Sequence, residues 1–329
     1  MSTDLNRDGA DDLIIGGHCD YRKYPLSTPS LILKNDGDNK FEIITKSNLG
    51  MINAIASCDI NGDGQNEVVM CGDWTPIMVF DARGFTFKDI STSHFDKNHQ
   101  GMWKAIHPYT FIGKTYLMCG NLGLNSQLTA TSENPMYLYY EDYDNNGSYD
   151  PIIAHHIMDG TYPFASREDM IKQIPILNKR FNTFGVYAKA DIKTLLGDTH
   201  FKKAKPLTIN TLETTLFMVE NGKLKKVDID NTAQVSPVFA IQKIDGPEKS
   251  NLILAGNQSK VRVKLGRLNG NHGQYYSLHN NTLEYVAKPL SGFSCRNDVR
   301  DIATVKSSKG DVVIFTVYND KSLFYRMNN

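Results

Sequence analysis

The sequence predicts an all-β protein, a propeller of four-stranded antiparallel blades. Three observations predict it: short apolar runs bounded by turn residues, a strand-ending glycine motif that recurs along the chain, and three copies of one acidic loop. The apolar runs include Leu13-Ile14-Ile15, Ile52 to Ser57, Glu67 to Cys71, Tyr116 to Cys119, Met136 to Tyr140, Asn251 to Ala255 and Val312 to Val317. Branched and aromatic residues dominate them, and Gly, Asn, Asp or Pro close them. The glycine motif is a strand ending in a small residue and Gly, then Asn, Asp or His. It occurs at Gly16-Gly17-His18, Cys71-Gly72-Asp73, Cys119-Gly120-Asn121 and Ala255-Gly256-Asn257. Gly17, Gly72 and Gly120 stand about 50 residues apart, the spacing of stacked supersecondary units. Hairpin signals at Asn35-Asp36-Gly37-Asp38 and Asn221-Gly222 agree with it.

One stretch breaks the β pattern. Between Arg167 and Leu196 the apolar residues Met170, Ile171, Ile174, Leu177 and Phe181 fall at helical spacing. Ser166 with Asp169 reads as an N-terminal cap and Gly197 as a stop, with Pro175 and Gly185 dividing the segment into two or three helices. The expectation is one propeller domain over residues 1–329 with a helical insertion at 166–197, between strands of one blade. That insertion reads as a stabilising elaboration, with a binding lobe as its functional alternative.

The chemistry lies in the acidic loops. They are Asp4-Leu5-Asn6-Arg7-Asp8-Gly9-Ala10-Asp11-Asp12, Asp59-Ile60-Asn61-Gly62-Asp63-Gly64-Gln65-Asn66-Glu67 and Asp142-Tyr143-Asp144-Asn145-Asn146-Gly147-Ser148-Tyr149-Asp150. Each follows D-x-(D/N)-x-(D/N)-G-x-x-(D/E). Calcium is a hard cation that takes six to eight oxygens, and positions 1, 3 and 5 of a tight loop can aim three side-chain oxygens inward. Glycine at position 6 permits the turn, and a carbonyl at 7 with the carboxylate at 9 completes the shell. Expected ligands are Asp4, Asn6, Asp8 and Asp12; Asp59, Asn61, Asp63 and Glu67; and Asp142, Asp144, Asn146 and Asp150. No His or Cys lies inside the loops, which disfavours zinc and copper. An EF-hand needs an acid at position 12 and a helix after it; here position 12 is Ile15, Met70 or Ile153, each in a strand-like run. Asp, Asn and Gly are also ordinary turn residues, but three copies in one ligand register favour metal.

These loops, with the strand-ending glycines, resemble the FG-GAP/VCBS repeat family, which includes the integrin α-subunit propeller. Gly120-Asn121-Leu122-Gly123-Leu124-Asn125, Leu138-Tyr139-Tyr140 through Asp150-Pro151-Ile152, Pro163-Phe164-Ala165-Ser166-Arg167, and Leu265-Gly266-Arg267 with Val299-Arg300-Asp301-Ile302 look like a bacterial VCBS-repeat subgroup. That subgroup is common in Bacteroidetes and grouped near the ASPIC/UnbV and cartilage-acidic-protein proteins. The resemblance implies a propeller, usually seven-bladed, braced by calcium, in a secreted or surface-attached protein. It implies no reaction. The repeat near Lys243-Ile244-Asp245-Gly246-Pro247 has lost most ligand positions, and Phe111-Ile112-Gly113-Lys114 replaces the loop between the runs at Trp103 and Tyr116, so no metal is expected at the former.

Charge and composition narrow the partners. Lys plus Arg equal Asp plus Glu, 36 against 36, which leaves no polybasic field for nucleic acid. No apolar run is long enough to span a membrane, and Met1-Ser2-Thr3 enters Asp4 without the apolar core of a leader. Cys19, Cys58, Cys71, Cys119 and Cys295 match no zinc spacing and read as free thiols. The first loop has no evident strand before it, and three strands (Arg300 to Val305, Asp311 to Val317, Ser322 to Arg326) end the chain. Either the termini pair to close the ring or earlier blades belong to a longer parent chain.

Two function classes follow: a non-catalytic extracellular module that binds or scaffolds a protein or glycan, and a calcium-dependent, lyase-like polysaccharide-degrading enzyme. Nucleophile-elbow, phosphate-loop and HExxH signatures are absent. His155 and His156 are strand neighbours on opposite faces and cannot easily serve one site. The lyase candidates His107, Arg167, Arg267 and Arg296 are scattered. Trp74, Trp103, Tyr137, Tyr139 and Tyr140 read as packing between blades in preference to a sugar platform. The binding reading is favoured.

Overall fold

The computed structural model describes all residues except 22, 39, 246–249, 280–281, 309 and 328–329. The first sheet takes β1 (Ser2–Thr3), β2 (Asp12–Ile15), β3 (Ser30–Asn35) and β4 (Phe41–Ser47) in sequence order. The second takes β5 (Met51–Cys58), β6 (Glu67–Pro76), β7 (Met78–Asp81) and β8 (Lys88–Asp89); after the short helix α1 (Ser91–His94), β9 (Gln100–Met102) pairs with the end of β6. The third begins with β10 (Ala105–Phe111) and β11 (Lys114–Gly120) and is then interrupted.

The interruption is a sheet of its own. It comprises β12 (Met136–Tyr139), β13 (Ile152–Ile157), β14 (Gly160–Pro163) and, beyond five short helices, β15 (Leu207–Ile209), in the order β14-β13-β12-β15. The helices are α2 (Arg167–Gln173), α3 (Leu177–Arg180), α4 (Phe184–Ala188), α5 (Ile192–Leu196) and α6 (Asp198–Lys203). The third blade then resumes with β16 (Thr215–Glu220), paired to β11, and β17 (Lys223–Val227). The fourth blade holds β18 (Val238–Asp245), β19 (Ser250–Gly256), β20 (Gln274–His279) and β21 (Thr282–Tyr285). After α7 (Lys288–Ser291), β22 (Val299–Val305), β23 (Val312–Val317) and β24 (Leu323–Arg326) form a three-stranded fifth.

Several expectations change here. The helices join two strands of the inserted sheet, which itself parts the second and third strands of the third blade. Ser166 caps α2 through the Asp169 N–H, and Pro175 falls between α2 and α3; Gly185 makes no break and lies inside α4. Gly197 ends α5, but α6 follows at once and carries the helical stretch to Lys203. A strand does precede the first acidic loop: Ser2 and Thr3 pair with Leu13 and Asp12. β1 pairs only with β2 and β24 only with β23 among the described residues, so the termini do not pair there. Gly246 and Pro247 of the degenerate repeat lie outside the described residues.

The core sits between blades. Ile14, Ile52 and Met70 join the first and second; Val69, Trp103 and Leu117 the second and third; Tyr116, Leu216 and Leu252 the third and fourth; Ile253, Val299 and Phe315 the fourth and fifth. A sheet packed on both faces needs apolar residues on both, which explains why β6 and β11 read as unbroken apolar runs. The inserted sheet has a separate core of Met170, Ile174, Phe181 and Leu195 against Tyr139 and Ile152. A second apolar layer, Met136 and Leu138 with Met51, Trp74, Leu122 and Leu268, fastens it across the blades.

The recurrent glycines have a steric cause. Inner strands β5, β18 and β22 each bulge against their neighbour, at Asn53, Phe239 and Arg300. A Cβ on Gly72 would lie 1.7 Å from the Met51 carbonyl oxygen, and one on Gly256 1.8 Å from that of Pro237. The glycine admits the bulged backbone. Gly72→Ala is therefore expected to destabilise by on the order of 1–3 kcal/mol or more. Gly185→Ala, in α4 with open space around it, is expected to stabilise by about 0.5–1 kcal/mol. Urea unfolding of the two variants measures both; equal midpoints would refute the close-approach explanation.

Candidate metal loops and inner rim

Each acidic loop connects two antiparallel neighbours: β1 to β2, β5 to β6, β12 to β13. All three share one hydrogen-bond scaffold. The position 1 carboxylate accepts from the N–H of position 6: Asp4 from Gly9 at 3.0 Å, Asp59 from Gly64 at 2.8 Å, Asp142 from Gly147 at 2.8 Å. Position 3 accepts from the N–H of position 5, and position 5 from that of position 7, in every copy. Position 9 accepts from the N–H of position 2: Asp12 from Leu5, Glu67 from Ile60, Asp150 from Tyr143. Positions 4 and 6 are left-handed throughout, at Arg7 and Gly9, Gly62 and Gly64, Asn145 and Gly147. Gly, Asn and Asp suit such turns.

The hydrogen-bond scaffold recurs in all three loops, but among the described residues only the third gathers three carboxylates. In the third, oxygens of Asp142, Asp144 and Asp150 all lie within 4.8 Å of one another. Asp12, Glu67 and Asp150 are buried, and among the described residues no Lys or Arg lies within ion-pair distance of any of them. Buried carboxylates ordinarily have a cationic counterpart, so this donor set fits a hard cation. Burial raises the Asp150 carboxyl above its ordinary value; the Tyr143 N–H opposes this, and Asp144 and Asp142 add to it. In the first two loops an amide nitrogen stands among the acids: Asn6 donates to Asp8 at 2.7 Å and Asn61 to Glu67 at 2.8 Å. Turning the amide over presents its oxygen instead. Loops one and two border a common cleft with Arg83.

The opposite end of the blades carries the strand-ending motif: Cys58 pairs with Glu67 beside the second loop, whereas Met51 pairs with Asp73 at the far end. There the Asn, Asp or His after each glycine clasps a neighbour. Asn121 accepts from Met102 N–H at 3.0 Å and donates to the Thr211 carbonyl at 3.2 Å; Asn257 donates to the Asn271 carbonyl at 2.7 Å and accepts from Ser236 Oγ. Asp73 pairs with Lys104 of the next blade and lies 3.6 Å from His18 Nε2. Lys104, Phe239 and Arg300 stand at the start of three successive inner strands and meet there, with Lys104 Nζ 5.8 Å and Arg300 Cζ 4.1 Å from the Phe239 ring. Sequence reading missed this row, because nothing local in the sequence marks the three residues as neighbours.

The remaining candidates are dispersed. Arg167 is spent on the Phe181 carbonyl and Asn178 in the helical lobe, and half-buried His155 packs edge-on against Phe164. Trp103 and Trp74 are buried and Tyr139 stacks on Phe201, all as packing. All five cysteines are free, and four of them are buried.

Blades of antiparallel strands with these loops define a β-propeller. Residues 4–70 match the model of the FG-GAP-like repeat, a span opening on the first acidic loop and closing in β6. The chain thus carries an FG-GAP-like repeat, a repeat that occurs in extracellular or surface proteins. No curated protein matches the chain. No helix is long and apolar enough to cross a membrane among the described residues.

Proposed function

We propose that the three acidic hairpins hold calcium, and that the braced propeller acts outside the cell as a non-catalytic module binding or scaffolding a protein or glycan. The observation that carries this is the identical scaffold in three hairpins, each ending in a buried carboxylate without a cationic side chain. When bound, calcium would supply charge neutralisation and fix the turns; Asp4, Asp59 and Asp142 with their partners at positions 3, 5 and 9 would hold it. The first two loops stand at the end of their blades opposite the strand-ending glycines, so metal there would brace the blades and leave the inner rim to ligand.

Glycan-array and protein-capture binding, run with and without EDTA beside a polysaccharide-cleavage assay, tests this. Binding without cleavage is the expected result; cleavage of a polysaccharide would replace it with the lyase-like enzyme.

Calcium affinity at the third loop should rise from pH 4 to pH 7. The raised Asp150 pKa means that, without metal, its favourable contribution is full below the ordinary carboxylate range and is lost as pH climbs through the folded value. A cation competes with that proton, so affinity grows across the same window. Calorimetric titration at both pH values checks it, and a flat profile would remove Asp150 from the ligand set.

A further inference from the structure

We propose that the inner rim of the third to fifth blades is a binding site for a carboxylate-bearing sugar, with Arg300 receiving the carboxylate and Tyr318 the face of the sugar ring. This deepens the glycan half of the reading above and rests on it.

Arg300 is a half-buried cation without an anionic partner. Its Nη1 donates to the carbonyls of Asn257 at 3.0 Å and Val299 at 2.8 Å, which fixes the plane of the guanidinium. Phe239 lies 4.1 Å and Tyr318 5.2 Å from its Cζ. The nearby carboxylates are engaged elsewhere. Asp298 accepts both the N–H and the hydroxyl of Ser259, at 2.9 and 2.8 Å, and Asp73 holds Lys104. No carboxylate lies within ion-pair distance of Arg300 among the described residues. Burial draws its pKa down, with Asp298 and Tyr318 opposing, as expected of a desolvated charge that lacks a direct counterion.

Such a guanidinium still has an edge to offer. Two parallel N–H groups suit a planar carboxylate, and a positioned fork loses little entropy on binding. Lys260, 5.6 Å from the Tyr318 ring, adds positive potential on one side, whereas the charge of Lys104 is neutralised by Asp73. Tyr318 adds the second element: 52% of it is exposed beside this cation. An aromatic face next to a guanidinium matches a uronic acid, whose ring presents C–H groups and whose C6 presents the carboxylate. An acidic peptide would use the charge but leave the aromatic face idle.

The test is calorimetric titration of the calcium-saturated protein with a glucuronic-acid-containing tetrasaccharide, its carboxyl-reduced neutral counterpart and a glutamate peptide. The acidic sugar is expected to bind, more weakly as salt rises, and the neutral counterpart roughly tenfold or more weaker, as loss of one charge-assisted pair implies. Arg300→Lys, which keeps the charge and loses the fork, should cost roughly tenfold, and Tyr318→Ala a similar factor, both with folded, cooperative melting and wild-type calcium content. Equal binding of the acidic sugar by wild type and both variants would overturn the assignment, as would binding of the peptide in its place. A different glycan or protein that binds the two variants and wild type alike, with no uptake of the acidic sugar, overturns this inference and leaves the proposed function standing.

Discussion

Chelation of the calcium-saturated protein is expected to lower its thermal midpoint by several degrees for each loop emptied. Metal that binds only the folded hairpin adds about 2.7 kcal/mol at a hundredfold excess over its Kd. In a chain of this size each kcal/mol moves the midpoint by roughly 1.5 °C. The third loop lies in a sheet with its own core, so its contribution should add to that of the first two, which share a cleft and so can couple. Asp59→Asn and Asp142→Asn then each remove one share of the chelation effect. They should do so with different local consequences. The second loop sits beside the interface of the first two blades, whereas the third opens onto the separate core of the inserted sheet. Losing calcium at Asp142 should loosen the helices around Met170 and Leu195 and leave the blade cores protected, a pattern that hydrogen exchange reads directly. Magnesium should restore less stability, because it demands tighter octahedral geometry. Scanning calorimetry with and without EDTA is the measurement, and an unchanged midpoint after thorough chelation would remove calcium from the proposal.

The acidic loops were legible because all their chemistry lies within nine residues: ligand spacing, the glycine at position 6 and the strand after it are local. The glycines at 72 and 256 were legible as a motif but not as a cause, since the bulge they face is contributed by a strand some 20 residues earlier. Topology was less accessible. Leu117 and Phe217 pair across 100 residues of chain, and an apolar run such as Tyr116 to Cys119 carries no mark of which partner it takes. Read locally, Met136 to Tyr139 is one more blade strand; only the long-range pairing makes it part of an insertion. Gly197 shows a similar limit. It ends one helix as its type suggests, yet Asp198 behind it begins another. The rim row could not be read at all. Lys104, Phe239 and Arg300 are solitary in sequence, and three blades must close up before their side chains meet.

Removing either member of the Asp73–Lys104 pair is expected to destabilise the protein by roughly 3–5 kcal/mol, a fall in midpoint of roughly 4–7 °C. The two side chains are 17% and 11% exposed and tie the second blade to the third. Burial alone would push the Asp73 carboxyl up, but Lys104's charge and hydrogen bonds from His18, Lys104 and Asn53 outweigh it and hold the group well below the usual carboxylate range. A depressed carboxylate contributes stability that is fully present above its unfolded pKa, near 3.9, and is lost as pH falls through the folded value. Asp73→Asn should thus cost its full amount at neutral pH and progressively less below about pH 4. Lys104→Met strands the carboxylate and should cost a similar amount, whereas Asp73→Leu with Lys104→Met should recover much of the loss, because two desolvated charges disappear together. A double-mutant cycle closed with Asp73→Leu alone and read by urea unfolding separates coupling from simple packing. If the double variant were as unstable as the two single losses added, the pair would be two independent packing contacts, and the bond between these blades would have to be sought in the apolar layer of Val69, Trp103 and Leu117 instead.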